Sequence, residues 1–387
     1  MKPSITLISN YYPPETGAAA NRIALLAENF VKAGYETQVL CPLPNYPTGK
    51  IFETYKGKSG ESETINGVKV IRLWVYATNS AAVWKRFLGM ISFSFSLAKY
   101  GVSNKLPPLV FVQYSPLLVG FFSTLFFKNK KRKLLLNMSD LWPLAGKELG
   151  KIKDGFGYSV LEKMERYCCR KADIVLGQSQ EILNHVKAIY PEKASFLYRN
   201  LPDFEPPKSV SSDHATKRMV YAGLLGVAQG IVGLCEAIEL PEAWSFDIYG
   251  AGAQQEELES FLKNSTKNIV YKGSLSRKQL HQELLSYDLT IIPLITRIYG
   301  SVPSKIFEYG RLGLPMLYCG GGEGEDLVAS NNLGWVSPSG DFKALNDMLR
   351  KMEFQKEWPT KKKVQDTCVR IFNSQKQFED LVYLLNQ

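Results

Sequence analysis

The sequence predicts an α/β fold of two doubly wound domains that face each other across a cleft. Its 387 residues are enough for two domains of ordinary size. In both halves short apolar runs alternate with segments of helical periodicity, which is typical of a parallel sheet covered by helices on both faces. A proline-rich and polar stretch at residues 202–218 separates the halves. We therefore predict a first domain over residues 1–203 and a second over residues 204–373.

The first half alternates strands and helices from its beginning. An apolar strand at residues 5–9 precedes an amphipathic helix at 20–33, and Gly34 is a typical C-terminal signal for that helix. Another helix is predicted at residues 155–170. The remaining predicted strands lie at residues 37–41, 69–74, 109–112, 133–138 and 173–177.

The second half restarts the same alternation. Its predicted strands lie at residues 219–222, 245–249, 269–272, 289–293 and 316–319. Its predicted helices lie at residues 233–238, 254–262, 277–286 and 304–311. Ligands of doubly wound sheets bind at the carboxyl ends of the strands, so the loops that follow these strands are the candidate site.

Residues 106–127 carry no charge and are numerous enough to span a bilayer, with the basic run at 128–133 as a cytoplasmic flank. Three prolines and the polar step at residues 113–115 interrupt this stretch. We therefore expect a buried strand and a short apolar helix after Pro116 rather than a transmembrane helix.

Composition limits the classes of protein and partner. An apolar fraction of 45% and a charged fraction of 22% exclude an intrinsically disordered chain. The net charge of +10 favours anionic partners, namely phosphates, nucleic acid or an acidic membrane surface. His185, His214 and His281 lie too far apart in the sequence to predict a histidine-rich metal site. Six cysteines without a C-x-x-C pair, and a beginning without signal-peptide features, predict a cytoplasmic protein.

Three loops at predicted strand ends contain glycine. The first follows residues 5–9 and has Gly17 and small residues before a helix, where backbone N–H groups can meet a phosphate. Gly223 and Gly226 follow one strand of the second half, and Gly250 and Gly252 follow the next. Turns of this kind at successive strand ends would let a diphosphate or a nucleoside approach the main chain. Chain reversal alone is the alternative explanation of each turn.

Another candidate feature is a helix that begins near Pro303 and Ser304, with Lys305 in its first turn. A lysine there opposes the helix dipole, which indicates an anion bound at this position. Glu308, one turn later, could accept hydrogen bonds from a ribose diol. A solvated lysine and a surface glutamate are the alternative. No D-x-D pair occurs in the sequence, so we expect cations and helix ends, rather than a divalent metal, to neutralise a leaving group.

These motifs, in this order, resemble the family 4 glycosyltransferases, which are retaining enzymes with the GT-B fold of two Rossmann-like domains. The resemblance covers nearly the whole chain and is closest to the N-acetyl-L-fucosamine transferases that build O-antigens and capsules. It rests on Y-Y-P-P-E-T-G at 11–17, P-N-Y-P-T-G-K-I at 44–51, N-G-V-K-V-I-R at 66–72, S-D-L-W-P at 139–143, Y-A-G to A-Q-G at 221–230 and P-S-K-I-F-E-Y at 303–309.

The resemblance implies a donor site for a nucleotide sugar, most often UDP-linked, and no metal cofactor. Glu308 would bind the ribose, and Gly17 would approach the transferred sugar and its phosphate. Asp140 would orient the donor sugar or stabilise positive charge on its ring. The diphosphate and the nucleotide would contact Gly223, Gly226, Gly250, Gly252, Val302, Pro303, Ser304 and Lys305. A helix at residues 374–387 would cross back onto the first domain.

The implied acceptor is a glycan on a polyprenyl diphosphate, so the enzyme would associate peripherally with the inner membrane from the cytoplasm. The aromatic and apolar segment 83–95, basic at one end, and the basic run 128–133 would meet the lipid surface. A core helix and solvated lysines are the alternative. The acceptor site would comprise Tyr12, Glu15, Thr16, Asn45, Tyr46 and Trp142.

The chain departs from the family pattern in the second half. Residues 219–252 contain no lysine or arginine, although the family usually places cations there, and Gly300 stands where a carboxylate is usual. We therefore expect Arg297 and Lys305 to stabilise the leaving diphosphate, which would accept the proton of the attacking hydroxyl.

Two alternatives of other kinds remain beside the transferase. One is a degenerate, non-catalytic GT-B protein that binds a glycolipid or a partner enzyme, which the missing loop cations favour. The other is a sugar-nucleotide epimerase, for which the sequence shows no histidine or carboxylate cluster. Nucleic-acid binding ranks last, because the basic residues are dispersed and no known binding module is present.

Overall fold

The computed structural model describes residues 2–80, 82–208, 217–355 and 357–387, and the chain divides into two compact units. The units are Met1–Arg199 and Asn200–Gln387, which puts the division four residues before the predicted boundary. Part of the predicted linker, residues 209–216 with His214, lies outside the described residues. The last helix groups with the second unit, and its predicted crossing onto the first domain stays a prediction.

The first unit contains an eight-stranded sheet in the order β3-β4-β2-β1-β5-β6-β7-β8. Neighbouring strands are parallel except β3 and β4, which pair antiparallel. The strands are β1 (Ser4–Ile8), β2 (Glu36–Pro42), β3 (Ser62–Ile65), β4 (Val68–Leu73), β5 (Leu109–Gln113), β6 (Lys133–Met138), β7 (Ile174–Gly177) and β8 (Ser195–Leu197). The helices of this unit are α1 (Ala18–Lys32), α2 (Val83–Ser103), α3 (Leu117–Phe127), α4 (Leu144–Glu148), α5 (Phe156–Lys171) and α6 (Gln180–Ile189).

The second unit contains a six-stranded, entirely parallel sheet in the order β11-β10-β9-β12-β13-β14. Its strands are β9 (Lys217–Ala222), β10 (Trp244–Tyr249), β11 (Ile269–Tyr271), β12 (Leu289–Pro293), β13 (Met316–Cys319) and β14 (Gly334–Val336). Its helices are α7 (Ile231–Ala237), α8 (Gln255–Asn264), α9 (Arg277–Leu284), α10 (Lys305–Arg311), α11 (Gly322–Ser330), α12 (Phe342–Phe354), α13 (Lys361–Ile371) and α14 (Ser374–Leu385). The two Rossmann-like parallel sheets confirm the predicted fold class.

The central strands are buried along nearly their whole length, because their apolar runs present hydrophobic side chains to helices on both faces. The uncharged stretch at residues 106–127 divides as expected into strand β5 and helix α3. No helix in the described ranges has both the length and the apolar character needed to cross a membrane. All six cysteines are buried free thiols.

The structure adds a hairpin that the sequence prediction omitted. Strands β3 and β4 are joined by Asn66 and Gly67, both at positive φ (49° and 80°). An Asn-Gly pair adopts this turn readily because both residues tolerate the left-handed region. The second unit also begins its sheet earlier than predicted, since β9 begins at Lys217 and includes Arg218, which the prediction had placed in the linker.

Candidate active site

In the first unit, Glu15 organises the loops that follow β1 and β2. Its Oε1 accepts hydrogen bonds from the backbone N–H groups of Asn45 (2.8 Å) and Tyr46 (2.9 Å), and its Oε2 accepts one from Tyr12 N (3.3 Å). The side chain is buried, which raises its pKa although the three amides oppose that change. The geometry therefore gives Glu15 a role in fixing the loop at residues 45–46, and its contact with an acceptor stays a prediction.

The other predicted acceptor residues differ in accessibility. Thr16 and Tyr46 are exposed, and the Tyr46 ring packs edge-to-face against Tyr11 with centroids 5.4 Å apart. Tyr12 is fully buried, and its hydroxyl has no hydrogen-bond partner among the described residues. Trp142 is half-buried, and its carbonyl accepts the hydroxyl of Tyr114 at 2.6 Å. Thr16 and Tyr46 are therefore the most accessible members of this set, Asn45 and Trp142 are partly accessible, and Tyr12 is enclosed.

Gly17 and Asp140 also lie at the carboxyl ends of strands in the first unit. Gly17 has φ 145° immediately before α1, and a Cβ built there would lie 3.9 Å from the Tyr46 ring. Asp140 follows β6, and its Oδ2 accepts the Ser115 hydroxyl at 3.4 Å. Burial raises the pKa of Asp140, and the positive charge of Arg22 opposes the rise. This unit therefore brings Gly17, Tyr46 and Asp140 to the sheet edge where ligands of such folds bind.

In the second unit, the two predicted glycine turns are bonded to each other. Gly223 N donates to the carbonyl of Tyr249, and Leu225 N donates to the carbonyl of Ala251, both at 2.9 Å. A Cβ built on Gly250 would lie 1.8 Å from the carbonyl oxygen of Gly223, so only glycine allows the two turns to approach this closely. The turns form one platform at the carboxyl ends of β9 and β10.

Lys305 points its ammonium group at this platform. Its Nζ lies 4.2 Å from the centre of the Tyr221 ring, and the Tyr221 hydroxyl donates to the carbonyl of Leu224 at 2.6 Å. A Cβ on Gly223 would lie 1.8 Å from Nζ. In the described part of the chain no carboxylate lies within ion-pair distance of this ammonium, and burial lowers its pKa to about 8. The result is a poorly solvated cation beside a glycine-lined surface, which is suited to bind an anion.

Glu308 lies one turn further along α10 and is already hydrogen-bonded. Its Oε1 contacts Arg277 Nε at 2.8 Å and His281 Nε2 at 2.7 Å, while Oε2 has no partner among the described residues. Burial acts to raise the pKa of Glu308, but the bonds from His281 and Arg277 outweigh it, so the pKa lies below its usual value. The side chain is therefore a fixed carboxylate with one oxygen free to accept a hydroxyl.

Arg297, the second predicted cation, contacts a different part of the second unit from Lys305. Arg297 is exposed on the loop after β12, stacks on Tyr299 at 5.8 Å, and lies against Gly322, whose Cβ would be 2.7 Å from its Nε. Lys305 instead contacts the turn after β9. Val302, Pro303 and Ser304 are half-buried before α10, and Ser304 makes no side-chain cap. Joint action of Arg297 and Lys305 on one diphosphate stays a prediction.

Comparison with known proteins places the chain in a family. A model described as "Glycosyl transferase 4-like domain" matches residues 17–197, and one described as "Glycosyl transferases group 1" matches residues 216–352. The chain belongs to the family 4 glycosyltransferases with the GT-B fold. This confirms the expected family and enzyme class, and it leaves the transferase subtype open. A comparison with curated protein sequences returns no significant match.

Solved structures similar to this glycosyltransferase cover its whole length. Sucrose-phosphate synthase from Thermosynechococcus elongatus has a TM-score of 0.75 at 15% identity, over 100% of this chain and 99% of that one. HepE from Anabaena, in complex with UDP and glucose, has a TM-score of 0.66 at 13% identity, over 99% of both chains. The lipopolysaccharide outer core galactosyltransferase WaaB has a TM-score of 0.62 at 14% identity, over 98% of this chain and 99% of that one. At these identities the likeness establishes the fold.

Sequence reasoning missed several side chains that the glycosyltransferase brings to its candidate sites. Tyr221 was part of a motif without a role of its own, and Arg277 and His281 were not connected with Glu308. Arg277 and His281 are four residues apart on α9, which places them on one helical face, so a shared partner could have been inferred. Within the described ranges no group of three or more histidine, cysteine, aspartate or glutamate side chains is arranged to hold a metal ion.

Proposed function

We propose that this glycosyltransferase moves an N-acetylated deoxyhexosamine from a UDP-sugar to a polyprenyl-diphosphate-linked glycan, with retention of configuration, in the synthesis of a capsule or O-antigen. The observation that carries the donor half of the proposal is the Lys305 ammonium, packed between Tyr221 and Gly223 without a carboxylate partner. The sugar class, the retention and the acceptor are supported by the sequence motifs that resemble the fucosamine transferases.

The second unit offers complementary groups for each part of a nucleoside diphosphate. The free Oε2 of Glu308 would accept a ribose hydroxyl, and the closely packed turns at Gly223 and Gly250 would let the phosphates reach the main chain. Lys305 would supply positive charge. UDP is the proposed nucleotide because HepE, a similar fold, binds UDP with glucose in its structure.

The proposed reaction breaks the bond between the anomeric carbon and the phosphate oxygen and forms a bond from that carbon to the acceptor hydroxyl. The leaving phosphate takes the hydroxyl proton, so no separate protein base is needed. Lys305 and Arg297 would stabilise the charge that develops on the diphosphate, a contribution of several kcal/mol for a well-placed donor. Asp140 would orient the transferred sugar. No metal takes part in this scheme.

Thermal unfolding with millimolar UDP, GDP, dTDP and CMP, with and without magnesium, tests the donor half. We expect UDP alone to raise the melting temperature, equally with and without magnesium, and Glu308→Ala to reduce that rise. A ligand at 100 times its dissociation constant adds about 2.7 kcal/mol to the unfolding free energy, so the rise is measurable. No response to any nucleotide would favour the non-catalytic alternative and contradict the proposal.

We further propose that the enzyme is cytoplasmic and docks on the inner membrane surface through α2. Trp84, Phe87, Leu88 and Phe95 are 60%, 47%, 44% and 70% exposed, and their spacing places them on one side of the helix. The helix contains no acidic residue and carries basic residues near its beginning. An apolar side with adjacent positive charge is suited to the interface of an anionic bilayer.

Co-sedimentation with phosphatidylglycerol vesicles tests this docking. We expect the triple variant Trp84→Ser, Phe87→Ser and Phe95→Ser to lose most of its vesicle binding while its melting temperature stays close to that of the native chain, because the three side chains are exposed. Phe354→Ser, at an exposed phenylalanine of the second unit, is the matched control. Equal binding by the triple variant and the control would exclude α2 as the docking surface.

A further inference from the structure

Arg22 connects the first helix of the protein to the far side of the candidate site in the first unit. It belongs to α1, but its Nη2 donates to Ser139 Oγ at 3.0 Å, directly after β6. Strand β5 lies between β1 and β6, so the side chain reaches across one strand end. Its Nε is buried without a hydrogen-bond partner in the described part of the chain.

The residue that receives this bond is itself held from other sides. Ser139 Oγ also accepts the side-chain amides of Gln113 at 2.7 Å and Gln178 at 3.3 Å. Gln113 is fixed in turn, because its Oε1 accepts Asn137 Nδ2 at 2.6 Å. The two amides therefore hold Ser139 Oγ in place, and this oxygen in turn accepts the hydrogen bond of the Arg22 guanidinium.

Asp140, the next residue after Ser139, has few contacts of its own. The Ser115 hydroxyl donates to it at 3.4 Å, and within the described ranges Arg22 acts on it through charge and not through a hydrogen bond. Burial raises its pKa, and the charge of Arg22 is the main opposing influence. The effect is mutual, because burial lowers the pKa of Arg22 to about 10 while the charge of Asp140 opposes that change.

The other titratable groups that face this pair are phenols. Tyr114, after β5, faces Asp140, and Tyr198, after β8, faces Arg22. Burial raises the pKa of both phenols well above the usual value, so both are uncharged at neutral pH. Among the described residues, Glu165 also acts on Tyr114, whereas Arg22 and Asp140 act directly on each other.

We propose that Arg22 is a positioning residue for the transfer reaction, whose anchored guanidinium keeps the Asp140 carboxylate charged and in place at the end of β6. The inference rests on the proposed role of Asp140 in orienting the donor sugar. Arg22 does not contact substrate in this scheme and acts only through Asp140. Its anchoring at Ser139 explains why the cation is held near the carboxylate without a direct ion pair.

A titration of the aspartate carboxyl carbons by 13C NMR in the full-length protein tests the proposal without a substrate. Asp140→Asn assigns the signal. We expect Arg22→Met to raise the pKa of Asp140 by about 1 unit or more, as loss of a nearby opposite charge should. Arg22→Lys should restore most of the native value. Arg166→Met, which removes an exposed cation on α5, is the matched control and should change nothing.

Turnover of the UDP-sugar separates a positioning role from a structural one. We expect the acid limb of the kcat/KM profile to move to higher pH in Arg22→Met, and Arg22→Met to add little further loss in the Asp140→Asn background. A normal Asp140 titration in Arg22→Met and Arg22→Lys alike, or fully additive losses in the double variant, would overturn the proposal. If Asp140→Asn itself turns over normally while the NMR shift is present, the proposed role of Asp140 fails and the Arg22 interaction stands.

Discussion

Lys305→Met is expected to lower kcat by about 10²- to 10³-fold, the usual loss when one pre-organised stabiliser of transition-state charge is removed. The ammonium lies over the Tyr221 ring beside Gly223, and residues 219–252, which include both glycine turns, contain no lysine or arginine. The leaving diphosphate would therefore lose the nearest positive charge at the glycine platform. Methionine keeps the unbranched shape of the side chain, so packing against Tyr221 should persist.

The same substitution should raise stability while it lowers activity. The folded-state pKa of Lys305, about 8, is lower than that of a solvated lysine, so the charged side chain lowers the stability of the fold, and this cost is fully present below that pH. Removing the charge relieves this penalty, and the melting temperature at pH 7 should rise. A residue whose loss stabilises the fold and impairs turnover is one that the fold retains for function.

The pH dependence of kcat/KM provides a further test of Lys305. Because the ammonium loses its proton as pH rises through about 8, the native enzyme should lose activity on the basic side near that pH. Lys305→Arg should move that limb to higher pH, since a guanidinium stays charged. Lys278→Met, at an exposed lysine on α9, is the matched control and should behave as the native enzyme. Turnover by Lys305→Met within about 3-fold of native would show that the diphosphate is stabilised elsewhere.

The elements that the sequence predicted correctly are those whose signal is local. Strands β5 and β6 are short runs of apolar residues, and prolines separate β5 from α3 in the uncharged stretch. The strands and the start of the helix can therefore be predicted from residues that are neighbours in the sequence. The β3–β4 hairpin had a local signal as well, the Asn66-Gly67 pair, which was recognised as part of a family motif and not as a turn. The family motifs likewise identified Lys305 and Glu308 as candidates.

The partners of those candidates could not be predicted in the same way. Lys305 meets Tyr221 because β9 and α10 pack together, and Arg22 meets Ser139 across 117 residues of sequence. Such contacts depend on strand order and on side-chain direction at the sheet edge, and neither is encoded in a local pattern. Glu15 shows the opposite case, since this motif carboxylate was proposed to bind the acceptor, but its oxygens accept hydrogen bonds from three backbone amides.

Gly223→Ala is expected to impair mainly turnover and Gly250→Ala mainly stability, although the two glycines are in contact. At position 223 a Cβ would lie 1.8 Å from Lys305 Nζ, the mobile end of a long side chain. That side chain can move away, but φ at position 223 is 159°, which alanine rarely adopts, so we expect a loss of only about 1 kcal/mol of stability. We expect kcat to fall about 10-fold or more as the ammonium leaves the platform. At position 250 the Cβ would meet the carbonyl oxygen of Gly223 at 1.8 Å, and φ is 139°.

The carbonyl oxygen of Gly223 is a backbone atom and cannot move aside as a lysine side chain can. Gly250→Ala should therefore separate the two turns and lower the unfolding free energy by about 2–4 kcal/mol. Urea unfolding and kcat, measured on both variants, distinguish the two outcomes. Gly273→Ala is the matched control, because its φ of 76° is strained for alanine but no atom lies within 4 Å of the added Cβ. It should lower stability by about 1 kcal/mol and leave kcat unchanged. Native turnover in a folded Gly223→Ala protein would show that catalysis does not depend on where the Lys305 ammonium lies.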